Sequence, residues 1–216
     1  MTTTSRTLYR PVGFRELELI LDADARAFPP RLPEQPIFYP VLNSEYAEQI
    51  ARNWNTPDEA SGYAGFVTAF DVDAEYLKRF DVKVVGALRH QELWVPAEEL
   101  SEFNAHIQGR IRVTHAFYGS RYQGPRVLTP EPGEDPRHQL QALSHLLAVS
   151  PVDLDKVIDA HWQCVFINHG FWSVAPAREQ GLSESAREQV LQSIAAAWEK
   201  VRPDLPLPPG YRMGEV

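Results

Sequence analysis

Residues 37–54 read IFYPVLNSEYAEQIARNW, in which a run of apolar and aromatic residues is followed by a short amphipathic segment. Pro40 biases Tyr39 toward extended geometry and indicates an edge strand or the end of a strand. Asn43 is a favourable N-cap residue. The helix predicted after Asn43 has four apolar residues on one face, namely Ala47, Ile50, Ala51 and Trp54. The stretch therefore predicts a strand over residues 37–42 that leads into a capped helix, with Tyr39 at the junction.

Further strand and helix signals lie on both sides of this stretch. A helix is expected after the first strand, because four apolar residues recur there at helical spacing: Phe14, Leu17, Ile20 and Leu21. The four prolines of residues 26–36 predict an extended loop. β-branched and aromatic residues predict strands over 7–12, 63–72, 82–88, 92–95 and 111–118, with a helix over 97–107. This irregular order of short strands and small helices predicts an α+β domain over residues 1–118.

The character of the chain changes over residues 119–136, where proline, glycine and charged residues predict a linker. Residues 137–216 are then expected to form a helical subdomain. One helix is predicted over 137–148, and another from Pro151 to Phe166. A third has an apolar stripe and a capping box that places its N-cap at Ser185, with Glu188 as the partner residue.

Composition excludes several classes of function. The net charge is −8 and no cluster of Lys and Arg occurs, so we expect no nucleic acid as a partner. No apolar run is long enough to span a bilayer, and the first residues lack an apolar signal region, so we expect neither a membrane partner nor export. Cys164, the single cysteine, is expected to be a buried thiol of a cytoplasmic protein. The histidines are scattered, and Asp71 and Asp73, which flank Val72 at a predicted strand end, are a weak metal candidate, so no metal is expected.

Three polar or aromatic residues lie at predicted strand ends. Arg10 ends the first strand, Tyr39 the second, and Glu92 opens the strand in QELWVP. Taken alone, each has an ordinary explanation: an ion pair at a strand edge for Arg10, a core aromatic for Tyr39, and a surface acid for Glu92.

The order LYRPV, IFYPVLNSEYAEQIARNW, GYAGFVTAF and QELWVPAEEL resembles the ADP-ribosyltransferase superfamily, especially its compact bacterial members such as the rifampin-modifying enzymes. It is also similar to small bacterial proteins labelled "ADP-ribosylation/crystallin J1". The resemblance covers roughly residues 7–118 and implies a compact split sheet of mixed and antiparallel strands. The Ser-Thr-Ser motif of the arginine-specific branch is missing, and His90 and Gln91 stand where that branch has the first part of an E-x-E pair.

The resemblance implies that the domain binds NAD as a substrate, with no metal. Arg10 would contact the ribose or phosphates, Tyr39 would stack on nicotinamide, and Tyr63 could line the same pocket. Glu92 would be the catalytic residue that holds the nicotinamide ribose, since a fixed carboxylate stabilises the positive charge that forms as nicotinamide leaves.

Two hypotheses follow from these implications. In the first, the protein transfers ADP-ribose from this small-molecule nucleotide to an unknown protein or small-molecule acceptor. In the second, the same fold is catalytically inactive and serves as an interaction or immunity-type protein, with the helical extension as its partner surface.

Overall fold

The computed structural model of the protein describes residues 4–125 and 135–211, except for the side chain of residue 152. Helices and strands both occur, and the strands pair in antiparallel and parallel arrangements, so the predicted α+β class is confirmed. The chain divides into two units, Met1–Thr114 and His115–Val216. The linker was predicted over residues 119–136, of which 126–134 lie outside the described residues.

The first unit alternates short strands and helices. Its elements are β1 (Ser5–Gly13), α1 (Phe14–Asp22), β2 (Ile37–Phe38), α2 (Ser44–Ile50), β3 (Ala64–Asp73), α3 (Ala74–Leu77), β4 (Val82–Val84), β5 (Gln91–Leu93), β6 (Val95–Pro96), α4 (Leu100–Ala105) and β7 (Ile107–Tyr118), whose last four residues belong to the second unit. A π-helical turn, Ala51–Asn55, continues α2, and a 3-10 turn, Ala97–Glu99, precedes α4.

Two long antiparallel strands organise the sheet of this unit. β1 pairs with β3 from Ser5 opposite Asp73 to Gly13 opposite Gly65, and β7 lies on the other side of β3. Nearly all of β3 is buried, as expected for a strand between two others. Gly65 is required there, because a Cβ atom would lie 2.0 Å from the carbonyl oxygen of Ala51 in the turn after α2.

Phenylalanine rings fill the core on one face of the sheet. The Phe28 ring lies 4.9 Å from that of Phe38 and 4.8 Å from that of Phe70, measured between centroids. Phe103 of α4 packs at 5.4 Å from Phe38. Such tilted and edge-to-face pairs are the geometry that aromatic rings prefer. This cluster fixes β2 and α4 against the sheet.

The two helices predicted around the opening stretch are confirmed. α1 buries the four residues that define its predicted face. The Asn43 side chain caps α2 by accepting a hydrogen bond of 2.9 Å from the Tyr46 N–H group. The prediction for Trp54 is wrong, since its side chain is 61% exposed. The helix widens into the π-helical turn from Ala51 onward, which rotates the following residues away from the buried face.

Two predicted strands are shorter than expected. In residues 37–42, only Ile37 and Phe38 form a regular strand, because Pro40 cannot donate to a ladder; Val41 then pairs through isolated bridges. The strand predicted over 82–88 ends at Val84. The chain turns at Gly86, whose φ is +89°, and returns as β5 in an antiparallel hairpin.

The second unit is mainly helical, as predicted. It contains α5 (Pro136–Val149), α6 (Leu154–Ala160), α7 (Trp162–Val174), α8 (Glu184–Val201) and β8 (Gly210–Tyr211), which pairs in parallel with the end of β7. The single helix predicted after Pro151 is two helices, because His161 leaves the helical conformation at φ −125° and ψ 29°. Cys164 is buried, as predicted.

The predicted N-cap of the last helix is wrong by two residues. Ser183, in extended conformation, accepts a hydrogen bond of 3.2 Å from the Ala186 N–H group, so α8 begins at Glu184. Both serines suit an N-cap chemically, and the backbone conformation decides between them. Among the described residues, no helix is both long and apolar enough to cross a membrane.

Candidate active site around Glu92

The three segments that carry the predicted site lie side by side in the first unit. Tyr9 of β1 and Val41 exchange two backbone hydrogen bonds of 2.9 and 2.7 Å. Val41 also forms an antiparallel bridge to Glu92 of β5, flanked by a bond of 2.9 Å from the Leu93 N–H group to the Pro40 carbonyl. Residues 37–42 therefore run between β1 and the β5–β6 segment.

This arrangement has a buried face and an outer face, because side chains alternate along extended chain. Phe38, Leu93 and Val95 are at most 2% exposed and belong to the core. Tyr39 and Trp94 alternate with them, and these two rings are 37% and 43% exposed. Glu92 shares the outer face, half-buried. The structure thus brings Tyr39 and Glu92 to one surface.

The Glu92 carboxylate is held by two hydrogen bonds from aromatic side chains. Its Oε1 atom accepts from the Tyr46 hydroxyl at 2.9 Å, and its Oε2 atom accepts from the Trp94 indole N–H at 3.1 Å. One donor comes from α2 and the other from the residue that follows β5. Each carboxylate oxygen keeps lone-pair capacity for a further donor. The carboxylate is therefore oriented but not saturated.

Tyr46 links this carboxylate to the hairpin between β4 and β5. Burial of the hydroxyl, followed by its hydrogen bond to Glu92 and the charge of that carboxylate, raises the pKa of Tyr46 to about 12. Tyr46 thus stays a neutral donor at physiological pH. The His90 ring stacks on the Tyr46 ring with a centroid separation of 4.2 Å and an interplanar angle of 13°. One face of Tyr46 is covered in this way by the hairpin.

Tyr39 and Trp94 stand perpendicular beside Glu92. Their ring centroids are 5.9 Å apart at an interplanar angle of 89°. Since both rings are partly exposed, they present aromatic surface next to a fixed negative charge. Such a combination is suited to a flat or cationic group.

Arg10 faces the other way. It alternates with Tyr9 and shares the buried face of β1 with Leu8 and Val12, and its side chain is 10% exposed. Its Nε and Nη2 atoms donate to the two oxygens of Glu16 at 2.7 and 3.1 Å. Its Nη1 atom donates to the Tyr39 carbonyl at 3.2 Å. The guanidinium also lies 4.7 Å from the centre of the Phe38 ring. Arg10 thus contacts the Tyr39 backbone, but its side chain does not share the face of Glu92.

A second arginine approaches the same glutamate from the proline-rich loop. Arg31 Nη1 lies 3.9 Å from Glu16 Oε1, and the Arg31 side chain is 11% exposed. Burial and, next, the charge of Arg10 lower the pKa of Arg31, while Glu16 and Tyr39 act in the opposite direction. Within the described part of the chain, the buried Arg31 Nε atom has no hydrogen-bond partner. Two guanidinium groups therefore share one carboxylate.

Arg31 lines a cavity of about 460 Å³. The cavity also involves the start of α1, the prolines beside Arg31, and the turn before β3. Its lining includes Arg15, Glu16, Leu19, Arg31, Leu32 and Asp58. We name it the Arg31 cavity. Its lining combines apolar walls with two arginines, Arg15 and Arg31, and two carboxylates, Glu16 and Asp58. An anion with an apolar portion could contact the arginines there.

The structure places Tyr63 away from Glu92. Tyr63 precedes β3 in the left-handed conformation, with φ of 56°, and its N–H group donates to the Asp58 carbonyl at 3.0 Å. Ala64, the residue after Tyr63, lies four positions along β3 from Thr68, the partner of Arg10, which corresponds to about 13 Å of strand. The neighbouring Ser61 lines the Arg31 cavity. Tyr63 therefore lies two residues along the chain from the lining of that cavity, and the structure does not bring it to the carboxylate.

The aspartates considered for a metal have other contacts. Asp71 accepts hydrogen bonds from Thr7 and Arg112 at 2.5 and 3.0 Å, and Asp73 caps α3. Burial raises the pKa of Asp71, but the hydrogen bonds from Thr7 and Arg112 and the charge of Arg112 together outweigh it, so the net pKa is lowered. Among the residues that the structure describes, no group of three or more His, Cys, Asp or Glu side chains is arranged to hold a metal ion.

Sequence reasoning missed three contributors to this region: Tyr46, Trp94 and Arg31. Trp94 lies two residues after Glu92, and strand alternation alone places the two on one face. Tyr46 and Arg31 carry no such local signal, because only the packing of α2 and of the proline-rich loop brings them to the site. Comparison of the chain with models of protein families, with curated proteins and with solved structures gave no match.

Proposed function

We propose that the first unit binds NAD on the surface formed by Tyr39, Glu92 and Trp94, and that it transfers ADP-ribose from NAD to an acceptor. One observation carries the proposal: the Glu92 carboxylate is fixed by two side-chain donors beside two partly exposed aromatic rings. The resemblance of the sequence to ADP-ribosyltransferases supports the same residue in the same role.

Glu92 would act on the nicotinamide ribose. As the bond to nicotinamide breaks, positive charge develops on the ribose ring. A carboxylate whose position is fixed in advance stabilises that charge without having to reorganise. The hydrogen bonds from Tyr46 and Trp94 supply this fixed position, and the remaining lone pairs of Glu92 can accept from a ribose hydroxyl.

The aromatic rings would hold the leaving group. The pyridinium ring of NAD is flat and cationic, so it is attracted both to the face of an aromatic ring and to a nearby carboxylate. Tyr39 and Trp94 offer faces in two perpendicular directions beside Glu92. Nicotinamide loses its charge when it leaves, so this attraction weakens in the product and favours its release.

The Arg31 cavity would take the phosphates and the adenosine. Tyr39 links the Arg31 cavity to the surface around Glu92. Its backbone carbonyl accepts a hydrogen bond from Arg10, which is paired with Glu16 at the cavity, and its ring faces Trp94. A pyrophosphate in this cavity could accept hydrogen bonds from Arg31, which shares Glu16 with the buried Arg10 and whose Nε atom has no partner within the described residues. The exposed side chains of Leu19 and Leu32 at this cavity offer apolar contact to a base. In this proposal Arg10 is a framework residue that positions Glu16 and the Tyr39 backbone.

Isothermal titration with NAD, together with an assay of nicotinamide release, tests the proposal. Wild-type protein is expected to bind NAD and release nicotinamide. Glu92→Gln should still bind but lose about 10²–10³-fold in turnover, which is the usual effect of removing one stabilising group from a transition state. Tyr39→Ala should weaken binding about tenfold through loss of a stacking surface. Glu45→Gln, an exposed glutamate beside Tyr46, is the matched control and should behave as wild type.

The outcomes separate the hypotheses. Absence of NAD binding by wild-type protein would refute the proposal that NAD is the substrate. Binding by wild type and by Glu92→Gln, with turnover by neither, would leave a catalytically inactive protein that binds a nucleotide and would favour an interaction role.

A further inference from the structure

A second cavity lies on the outer face beside Trp94. Its volume is about 330 Å³, and its lining includes Arg79, Phe80, Asp81, Lys83, Trp94 and Glu99. We name it the Trp94 cavity. It shares no lining residue with the Arg31 cavity. It is therefore a separate place for a molecule to bind on the same unit.

The Trp94 cavity adjoins Glu92 from two directions. Trp94 lines the cavity and also donates its indole N–H to the Glu92 carboxylate. Lys83 lines the cavity and stands directly opposite Glu92 in the β4–β5 pair. Residues opposite one another in an antiparallel pair have Cβ atoms about 5 Å apart on the same face. A molecule in this cavity is thus within reach of a reaction at Glu92.

The charges around the Trp94 cavity favour a cation. Arg79 is paired with two carboxylates, Glu102 at 2.5 Å and Glu99 at 3.2 Å, while Lys83 and Asp81 pair with each other at 3.4 Å. Two carboxylates, Asp81 and Glu99, and two cations line the cavity, so the Glu92 carboxylate beside it supplies the net negative charge. The partly exposed Trp94 ring adds a surface that attracts a cation or stacks on a flat group.

We propose that the Trp94 cavity binds the acceptor of ADP-ribose transfer, and that this acceptor is a small aromatic amine or amidine. This inference rests on the proposed function. The cavity binds the acceptor as a cation, so in the transfer the acceptor first loses an N–H proton, and the nitrogen lone pair that this frees forms a bond to the anomeric carbon of the ribose. The bond from that carbon to nicotinamide breaks, and its electron pair leaves with neutral nicotinamide. The proton lost by the acceptor nitrogen passes to the Glu92 carboxylate and then to water, so no further reactant is needed.

The first experiment measures binding without NAD, using fluorescent 4-aminobenzamidine as the probe. Wild-type protein is expected to bind it. Glu99→Gln should weaken binding about three- to tenfold, since it removes one carboxylate from the cavity wall. Glu98→Gln is a matched control, because Glu98 is an exposed neighbour in the same turn and does not line the cavity. Absence of probe binding, or equal effects of the two variants, would overturn the assignment.

The second experiment adds NAD and follows the ADP-ribosylated probe by mass spectrometry. Its formation by wild-type protein, reduced in Glu99→Gln but not in Glu98→Gln, is the expected result. Nicotinamide release without modified probe would overturn the acceptor role and leave the proposed function standing. Absence of NAD binding would refute the proposed function itself, and the acceptor role with it, while the binary titration would still report whether the cavity binds cations.

Discussion

Arg10 offers the sharpest test of how the first unit is built. Replacing it by Met removes a bidentate partner of Glu16 and the donor to the Tyr39 carbonyl, both in a region where the Arg10 side chain is 10% exposed. Breaking one side of a buried ion pair costs about 3–5 kcal/mol, because a charge is left without compensation. Arg31 remains 3.9 Å from Glu16 and compensates in part. We therefore expect the lower end, about 3 kcal/mol.

Urea unfolding, monitored by tryptophan fluorescence, measures this cost. With a slope of about 2 kcal/mol per molar urea, the midpoint for the first unit should fall by about 1.5 M. Arg15→Met is the matched control and should change stability by less than about 1 kcal/mol, since its pair with Glu18 is on the surface. Folded Arg10→Lys protein should keep its NAD affinity within about threefold. An unchanged midpoint combined with a tenfold loss of NAD affinity would show that Arg10 contacts the ligand, and would refute the framework role.

Three further predictions concern the fold. Gly65→Ala should destabilise the first unit by about 3 kcal/mol or prevent folding, because its Cβ would overlap the Ala51 carbonyl; a normal urea midpoint would contradict the proposed packing. Trp54→Ser should change the free energy of unfolding by no more than about 0.5 kcal/mol, since the ring is largely exposed; a loss above 2 kcal/mol would place Trp54 in a core. Asp71→Asn should cost about 1 kcal/mol at pH 7. Because the pKa of folded Asp71 lies below its ordinary 3.8, this difference should persist above pH 3.8 and vanish as the pH falls through the lower, folded value; a difference that does not change with pH would contradict it.

Local patterns in the sequence contain most of the secondary structure. The burial of α1 and the cap at Asn43 follow from spacing and residue type, and both are confirmed. Trp54 could not be placed in this way, because a π-helical turn changes the angular position of every residue after it. The choice of Ser183 over Ser185 as N-cap depends on backbone conformation, which residue type alone does not decide.

The candidate site was predictable only in part. Alternation of Leu8, Arg10 and Val12 along β1 already favours a buried Arg10, since the two neighbours are apolar. The same rule places Trp94 with Glu92. The contact of Tyr46 with Glu92 spans 46 residues, and Arg31 comes from a loop with no periodicity, so both depend on tertiary packing. Long-range contacts of this kind decide which residues form the site.

The most direct test of the proposed site is an NMR titration with NAD that follows the indole N–H signals of the five tryptophans. Trp94→Phe identifies the signal of Trp94, whose indole donates to Glu92. NAD is expected to shift this signal strongly and to leave the signals of the buried Trp172 and Trp198 indoles unchanged. Saturable NAD binding without a shift of the Trp94 signal would contradict it.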